Sequence, residues 1–184
     1  MAHLVCPWWL CHSFDNPLRR LFHDPEGLLA PHVKAGMQVL DIGCGMGYFT
    51  LAMARLAGSD GRVVAVDLQE RMLAALGKRA RKAGVDGRIV LHRCRPDTLG
   101  LNPEAETDFA LAFWMAHEVP DQPRLFREIR GLLKPGGRFL LVEPKLHVTL
   151  GTFEGMAAAC LEAGFRILER PAVSLSRAVL LEKG

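Results

Sequence analysis

Short, continuous apolar runs alternate along this chain with segments whose apolar residues recur every three or four positions. The runs are Val39-Leu40-Asp41-Ile42, Arg62-Val63-Val64-Ala65-Val66-Asp67, Arg88-Ile89-Val90-Leu91-His92, 107–113 and Arg138-Phe139-Leu140-Leu141-Val142-Glu143-Pro144. Each has strand length, and the second is apolar throughout, as a parallel strand covered on both faces should be. Between them lie helical patterns. One begins at Thr50, one spans Gln69–Ala83 with Met72, Leu73, Leu76 and Ala80 on one face, and one follows Asp121 with Leu125, Phe126, Ile129, Leu132 and Leu133 inward. Phe153, Met156, Ala157, Cys160 and Leu161 mark a further helix closed by Gly164, and the strands Phe165–Glu169 and Ser176–Leu181 join through Pro171. Strands that mostly alternate with helices predict an α/β fold.

Turn and cap residues punctuate the pattern where it changes. Asn16-Pro17 and Asp24-Pro25-Glu26 each place a capping side chain before proline at the first helical position. Asp121 caps the later helix, and Lys134-Pro135-Gly136-Gly137 is expected to stop it before the fifth strand. The first thirteen residues obey neither period. His3, Cys6, Cys11 and His12 could form a soft-metal or thiol-recognising arm, but a single Cys-x4-Cys pair favours an apolar arm packed by Trp8 and Trp9.

Composition narrows the class without naming a function. The 184 residues suit one domain, 49% hydrophobic and 23% charged. A net charge of +3 is too small to argue for nucleic acid, and the basic run Lys78, Arg79, Arg81, Lys82 lacks aromatics to stack bases. Five cysteines, mostly within apolar segments, suit a reducing cytosol, and a cytoplasmic location is expected. No targeting segment is expected, and no apolar run reaches membrane-spanning length.

The chemistry concentrates after the first strand, in Asp41-Ile42-Gly43-Cys44-Gly45-Met46-Gly47-Tyr48-Phe49-Thr50. Alternate glycines let a ligand approach the main chain, and the following helix aims unpaired N–H groups at the turn. The spacing is G-x-G-x-G rather than the dinucleotide G-x-G-x-x-G, and Asp41 two residues earlier suits a cationic amino or sulfonium group better than a pyrophosphate. Asp67 ends the second strand about 20 positions on, where Rossmann-like folds bind ribose hydroxyls; its alternative is a helix cap.

Acidic-x-G-x-G-x-G resembles the first motif of the class I S-adenosylmethionine-dependent methyltransferases. Segment 107–121 resembles their fourth motif, and Leu132-Leu133-Lys134-Pro135-Gly136-Gly137-Arg138 before an apolar strand is a specific signature of the class. The resemblance covers Val33 to the C-terminus. It implies a Rossmann-like, doubly wound, seven-stranded sheet, mostly parallel with the last strand antiparallel. Residues 33–184 would be the methyltransferase domain, one compact unit, and residues 1–32 an arm and helices covering the site. S-adenosylmethionine is the implied cofactor, with contacts at Asp41, Gly43, Cys44, Gly45, Gly47, Asp67, Leu68, Met72, Cys94, Arg95 and Phe113. Relatives usually place an acidic residue on the adenine amino group where this chain has Arg95, so backbone N–H groups or Asp97 are expected there instead.

Methyl transfer is a direct displacement, so alignment and exclusion of water matter more than covalent machinery. The expected acceptor is a small molecule. The loop after the fourth strand should face the methyl group, which makes His117 the candidate general base and Glu143 a second candidate. A loop-ordering role for His117 competes with this reading. Other expectations in play are an RNA- or protein-modifying methyltransferase, a metalloid or thiol methyltransferase using Cys6, Cys11 and Cys94, and a non-catalytic binding module.

Overall fold

The computed structural model describes residues 22–102 and 106–184. Seven strands form one sheet in the order β3-β2-β1-β4-β5-β7-β6. They are β1 (Gln38–Ile42), β2 (Arg62–Asp67), β3 (Ile89–Arg93), β4 (Thr107–Phe113), β5 (Leu133–Pro144), β6 (Phe165–Glu169) and β7 (Ser176–Lys183). The helices are α1 (Pro25–Leu29), α2 (Thr50–Ala57), α3 (Glu70–Ala83), α4 (Gln122–Leu132) and α5 (Leu150–Glu162). Pairing is parallel for β1–β2, β2–β3 and β4–β5 and antiparallel where β7 meets β5 and β6. This is the Rossmann-like sheet expected. The described residues fall into two compact units, 22–94 and Arg95–Gly184.

In the first unit, β1 and β2 are mostly buried, Arg62 excepted, which is why both read as continuous apolar runs. α2 packs on β1 and β2, and α3 on β2 and β3. Leu73 and Leu76 of α3 close over Cys44 and Ala65, with Leu51 and Ile89 at the margin. β3 lies at the edge of the sheet and leaves Val90 and Leu91 exposed. It starts one residue later than the apolar pattern suggests, because Asp86–Arg88 forms a short 3₁₀ turn first. Asp24 caps α1 as expected, accepting the Glu26 N–H at 3.2 Å.

The second unit departs from expectation at one point. Lys134-Pro135-Gly136-Gly137 does not merely end a helix; it lies inside β5 as a bulge. Leu133 pairs with Thr107 and Arg138 with Phe109, so one residue of β4 faces four of β5. A Cβ at Gly137 would lie 2.9 Å from the Lys134 carbonyl oxygen and 3.1 Å from that of Thr107, so only glycine fits this close approach. Lys134 Nζ then donates to Asp108 at 2.8 Å across the same irregularity. Asp121 caps α4 by accepting the Arg124 N–H at 2.9 Å, an interaction worth about 1 kcal/mol. The core holds Phe126, Phe139 and Phe165 in a row, with ring centroids 6.2 and 5.7 Å apart.

Candidate active site

The expected site residues divide between the two units, and each group has its own geometry. In the first unit the chain leaves β1 at Asp41, 3% exposed, whose Oδ2 accepts the Thr50 hydroxyl at 2.5 Å. That bond ties the strand end to the first residue of α2. Between them the turn is held by Gly43 and Cys44 N–H groups donating to the Val66 carbonyl at 2.8 and 3.0 Å, and by Gly47 N–H donating to the Cys44 carbonyl at 2.9 Å. Gly45 and Gly47 sit at φ +52 and +87, a backbone region that branched residues resist. A Cβ on Gly47 would collide with Leu76 Cδ1, whereas a Cβ on Gly45 would meet no atom within 4 Å. Gly47 is therefore favoured by its positive φ and by its close approach to Leu76, and Gly45 keeps a space beside the turn clear.

Asp67 is drawn into the same turn. Its Oδ2 accepts the Gly45 N–H at 2.9 Å and its Oδ1 the Gln69 N–H at 2.8 Å, so the residue has the local structural role considered from the sequence as well. Burial raises its carboxyl above the usual range, and hydrogen bonds from the Gln69, Gly45 and Leu68 N–H groups only partly offset this. Each oxygen accepts one N–H group, at 2.9 and 2.8 Å, and the lone pairs that remain suit a diol. Together with the cleared space at Gly45, those lone pairs fit the ribose of S-adenosylmethionine. Leu68 is half-buried, whereas Met72 is buried on the inner face of α3. Cys44 is buried, and burial first, then the charges of Asp41 and Asp67, push its thiol well above its ordinary value, so it stays a neutral wall group rather than a nucleophile. Cys94 is half-buried, and its N–H donates to the Asp67 carbonyl at 3.1 Å.

In the second unit, Arg95 is exposed and pairs through its backbone with Thr98, while Phe113 is buried against Trp114 at 5.4 Å between centroids. His117 and Glu143 meet in the same unit. Glu143, at the end of β5, is 0% exposed; its Oε1 accepts the Ala116 N–H at 2.8 Å and its Oε2 is hydrogen-bonded to His117 Nδ1. The two candidates from the sequence are thus hydrogen-bonded to each other. With a carboxylate at Nδ1, that nitrogen carries the proton, and Nε2 is the lone pair of the neutral ring. Burial opposes charge on His117, but the hydrogen bond to Glu143 and the charges of Glu143 and Glu118 outweigh it and raise its pKa.

Sequence reasoning missed one neighbour, His147, and one contact of a residue in the loop after the fourth strand, Trp114 with Ser176. His147, in the loop after β5, lies parallel to His117 with centroids 6.4 Å apart. Trp114, at φ +60, donates its indole N–H to Ser176 Oγ at 2.9 Å. A polar residue just beyond a strand's carboxyl end was the available signal for His147; the pairing of Trp114 with Ser176 carried none. Cys6 and Cys11 lie outside the described residues. Among the described residues no group of three or more His, Cys, Asp or Glu side chains could hold a metal ion, and no helix is long and apolar enough to cross a membrane.

A glycine turn feeding a helix, an acidic residue closing the second strand and an antiparallel β7 define a class I S-adenosylmethionine-dependent methyltransferase domain. Residues 33–166 match the model of the methyltransferase domain family, and the chain belongs to that family, whose cofactor is S-adenosylmethionine. It is 31% identical over 94% of its length to the 27-O-demethylrifamycin SV methyltransferase of Amycolatopsis mediterranei, covering 61% of that protein. It is 33% identical over 60% of its length to the 2-phytyl-1,4-naphtoquinone methyltransferase of Synechococcus elongatus, covering 47% of that protein. The chain thus spans about half the length of the curated relatives it matches. A crystal structure of a SAM-dependent methyltransferase from Aquifex aeolicus superposes with a TM-score of 0.86 at 23% identity, covering 98% of this chain and 100% of that one.

Proposed function

We propose that the chain transfers a methyl group from S-adenosylmethionine to a hydroxyl of a small-molecule acceptor, with His117 as general base and Glu143 as the group that positions it. The observation that carries the reading is the buried Glu143 carboxylate on His117 Nδ1. A fully buried carboxylate that fixes one imidazole nitrogen leaves the other poised to take a proton. Names of the curated relatives, which record methyl transfer in naphthoquinone and rifamycin chemistry, support a small-molecule acceptor. Residues 33–184 act as one catalytic unit in this reading.

Asp67 and the turn at Gly43, Cys44, Gly45 and Gly47 would hold the cofactor, Asp67 through the ribose hydroxyls. Bound there, S-adenosylmethionine supplies a methyl group activated by its sulfonium charge. The chain's own part is to strip the acceptor of its proton as the oxygen attacks. That proton passes to His117 Nε2, and the imidazolium so formed is stabilised by Glu143. A base matters most where the acceptor hydroxyl ionises well above neutral pH. Methyl transfer from radiolabelled S-adenosylmethionine to a panel of phenols tests the reading. His117→Ala should lower turnover about 10²–10⁴-fold near neutrality and less at high pH, where the phenol ionises unaided. A defect below about tenfold that ignores pH removes His117 from the chemistry.

A further inference from the structure

We infer that a groove beside the start of β7 binds an apolar tail carried by the methyl acceptor; the inference rests on the small-molecule reading above and extends it. Pro144 pairs with Ser176, and Lys145 N–H donates to the Leu175 carbonyl at 2.9 Å, so the loop leaving β5 and the loop entering β7 run side by side. Between them and α5 lies a groove of about 500 Å³ whose apolar wall includes Leu150, Phe153, Val173, Leu175 and Ala178. Its surface is apolar where burial does not require it. Leu150 is 59% exposed, Leu175 56%, and Leu146 on the adjoining loop 89%.

Leu175 also holds φ +56, a conformation that costs a branched apolar residue energy and that asparagine or glycine would adopt more easily. An exposed leucine in that backbone state gains little from packing within the chain, so its side chain is there for something else to cover. Three cations border the groove; Lys145 is exposed and keeps its ammonium in water, and the two arginines are engaged within the chain. Arg170 is held by both oxygens of Glu154, at 2.9 and 2.7 Å, and Arg177 donates to the Val148 carbonyl at 2.8 Å. A neutral hydrocarbon is the occupant that this lining accommodates without stranding a charge.

The loops that border the groove also carry contacts to the segment holding His117. Ser176, in its wall, accepts the indole N–H of Trp114, three residues before His117. The loop that displays Leu146 also lays His147 parallel to His117. An acceptor with its hydroxyl at His117 would therefore have a path for a tail across Leu146 into the groove.

Binding of 4-methylphenol and 4-hexylphenol to the full chain, titrated calorimetrically with S-adenosylhomocysteine present, tests this. The hexyl compound should bind at least about 50-fold more tightly, the gain from burying about three methylene groups. Leu150→Asp and Leu175→Asn should each cut that ratio about tenfold while leaving 4-methylphenol binding unchanged. Both variants should fold, since an acidic residue suits the first turn of α5 and asparagine tolerates positive φ. A wild-type ratio below about threefold, or variants that keep the full ratio, overturns the proposal. So does a finding that these substitutions abolish self-association or vesicle binding without touching chain-length preference, for then a second copy or a bilayer covers the groove. Length-dependent affinity without methyl transfer to either phenol sustains the groove and overturns the base assignment. Transfer without length dependence does the reverse.

Discussion

Glu143→Gln separates the two jobs of the buried carboxylate. In the wild type its oxygens accept two N–H groups, from Ala116 at 2.8 Å and from His117 Nδ1. Glutamine has one acceptor oxygen, so one donor would face an NH₂ group in a fully buried site. Orphaning that donor costs about 1–3 kcal/mol at any pH. A second loss depends on pH. The pKa of His117 is raised in the fold, so its ion pair adds stability that is fully present below the unfolded histidine value of about 6.5 and disappears as pH rises through the folded value. The extra destabilisation of the variant therefore appears at pH 5.5 and vanishes in the alkaline range, at about 1.4 kcal/mol per pH unit by which Glu143 raises the imidazole. Chemical denaturation at pH 5.5 and 9 measures both parts. The same substitution lets burial dominate at His117, so the acid limb of kcat/KM should move to lower pH, with weaker proton transfer on the plateau. Equal destabilisation at both pH values together with an unmoved acid limb would refute the coupling.

Two further substitutions probe the first unit. Asp67→Asn should lower both stability and S-adenosylmethionine affinity, each by about 1–3 kcal/mol, because an amide sets a donor against the Gly45 or Gln69 N–H; unfolding midpoints with and without cofactor distinguish the two losses, and full affinity in the variant would leave Asp67 a purely structural clamp. Gly45→Val should remove cofactor binding by filling the clear space beside the turn with a branched side chain at φ +52; a folded variant that titrates like wild type would show that the cofactor lies elsewhere.

Legibility in the sequence followed locality. β2 could be read to the residue because strand, burial on both faces and the closing Asp67 are all encoded within six positions. The bulge at Lys134–Gly137 could not, since it exists only through the pairing of Leu133 with Thr107, 26 residues away. His117 and Glu143 were each visible as polar residues beyond strand ends, but their partnership depends on the β4–β5 register that sets Phe113 opposite Val142. Asp67 looked like a choice between ribose ligand and cap; its bond to the Gly45 N–H spans 22 residues and makes the structural role real without using up the carboxylate's lone pairs. The groove lay furthest from view, because its wall joins exposed leucines from segments that carry no common period.

β7 has a consequence for how the chain acquires its chemistry. It is the last strand made, yet it lies between β5 and β6, pairing with residues 138–144 on one side and 165–169 on the other. During vectorial synthesis β5 and β6 have to wait, unjoined, until 176–183 has emerged to zip between them, a non-local closure that slows assembly. Glu143, paired with Arg177 in that zipper, reaches its final environment only then. The glycine turn needs nothing beyond Cys94 for its own hydrogen bonds. The nascent chain thus closes the glycine turn first and completes the surroundings of Glu143 last.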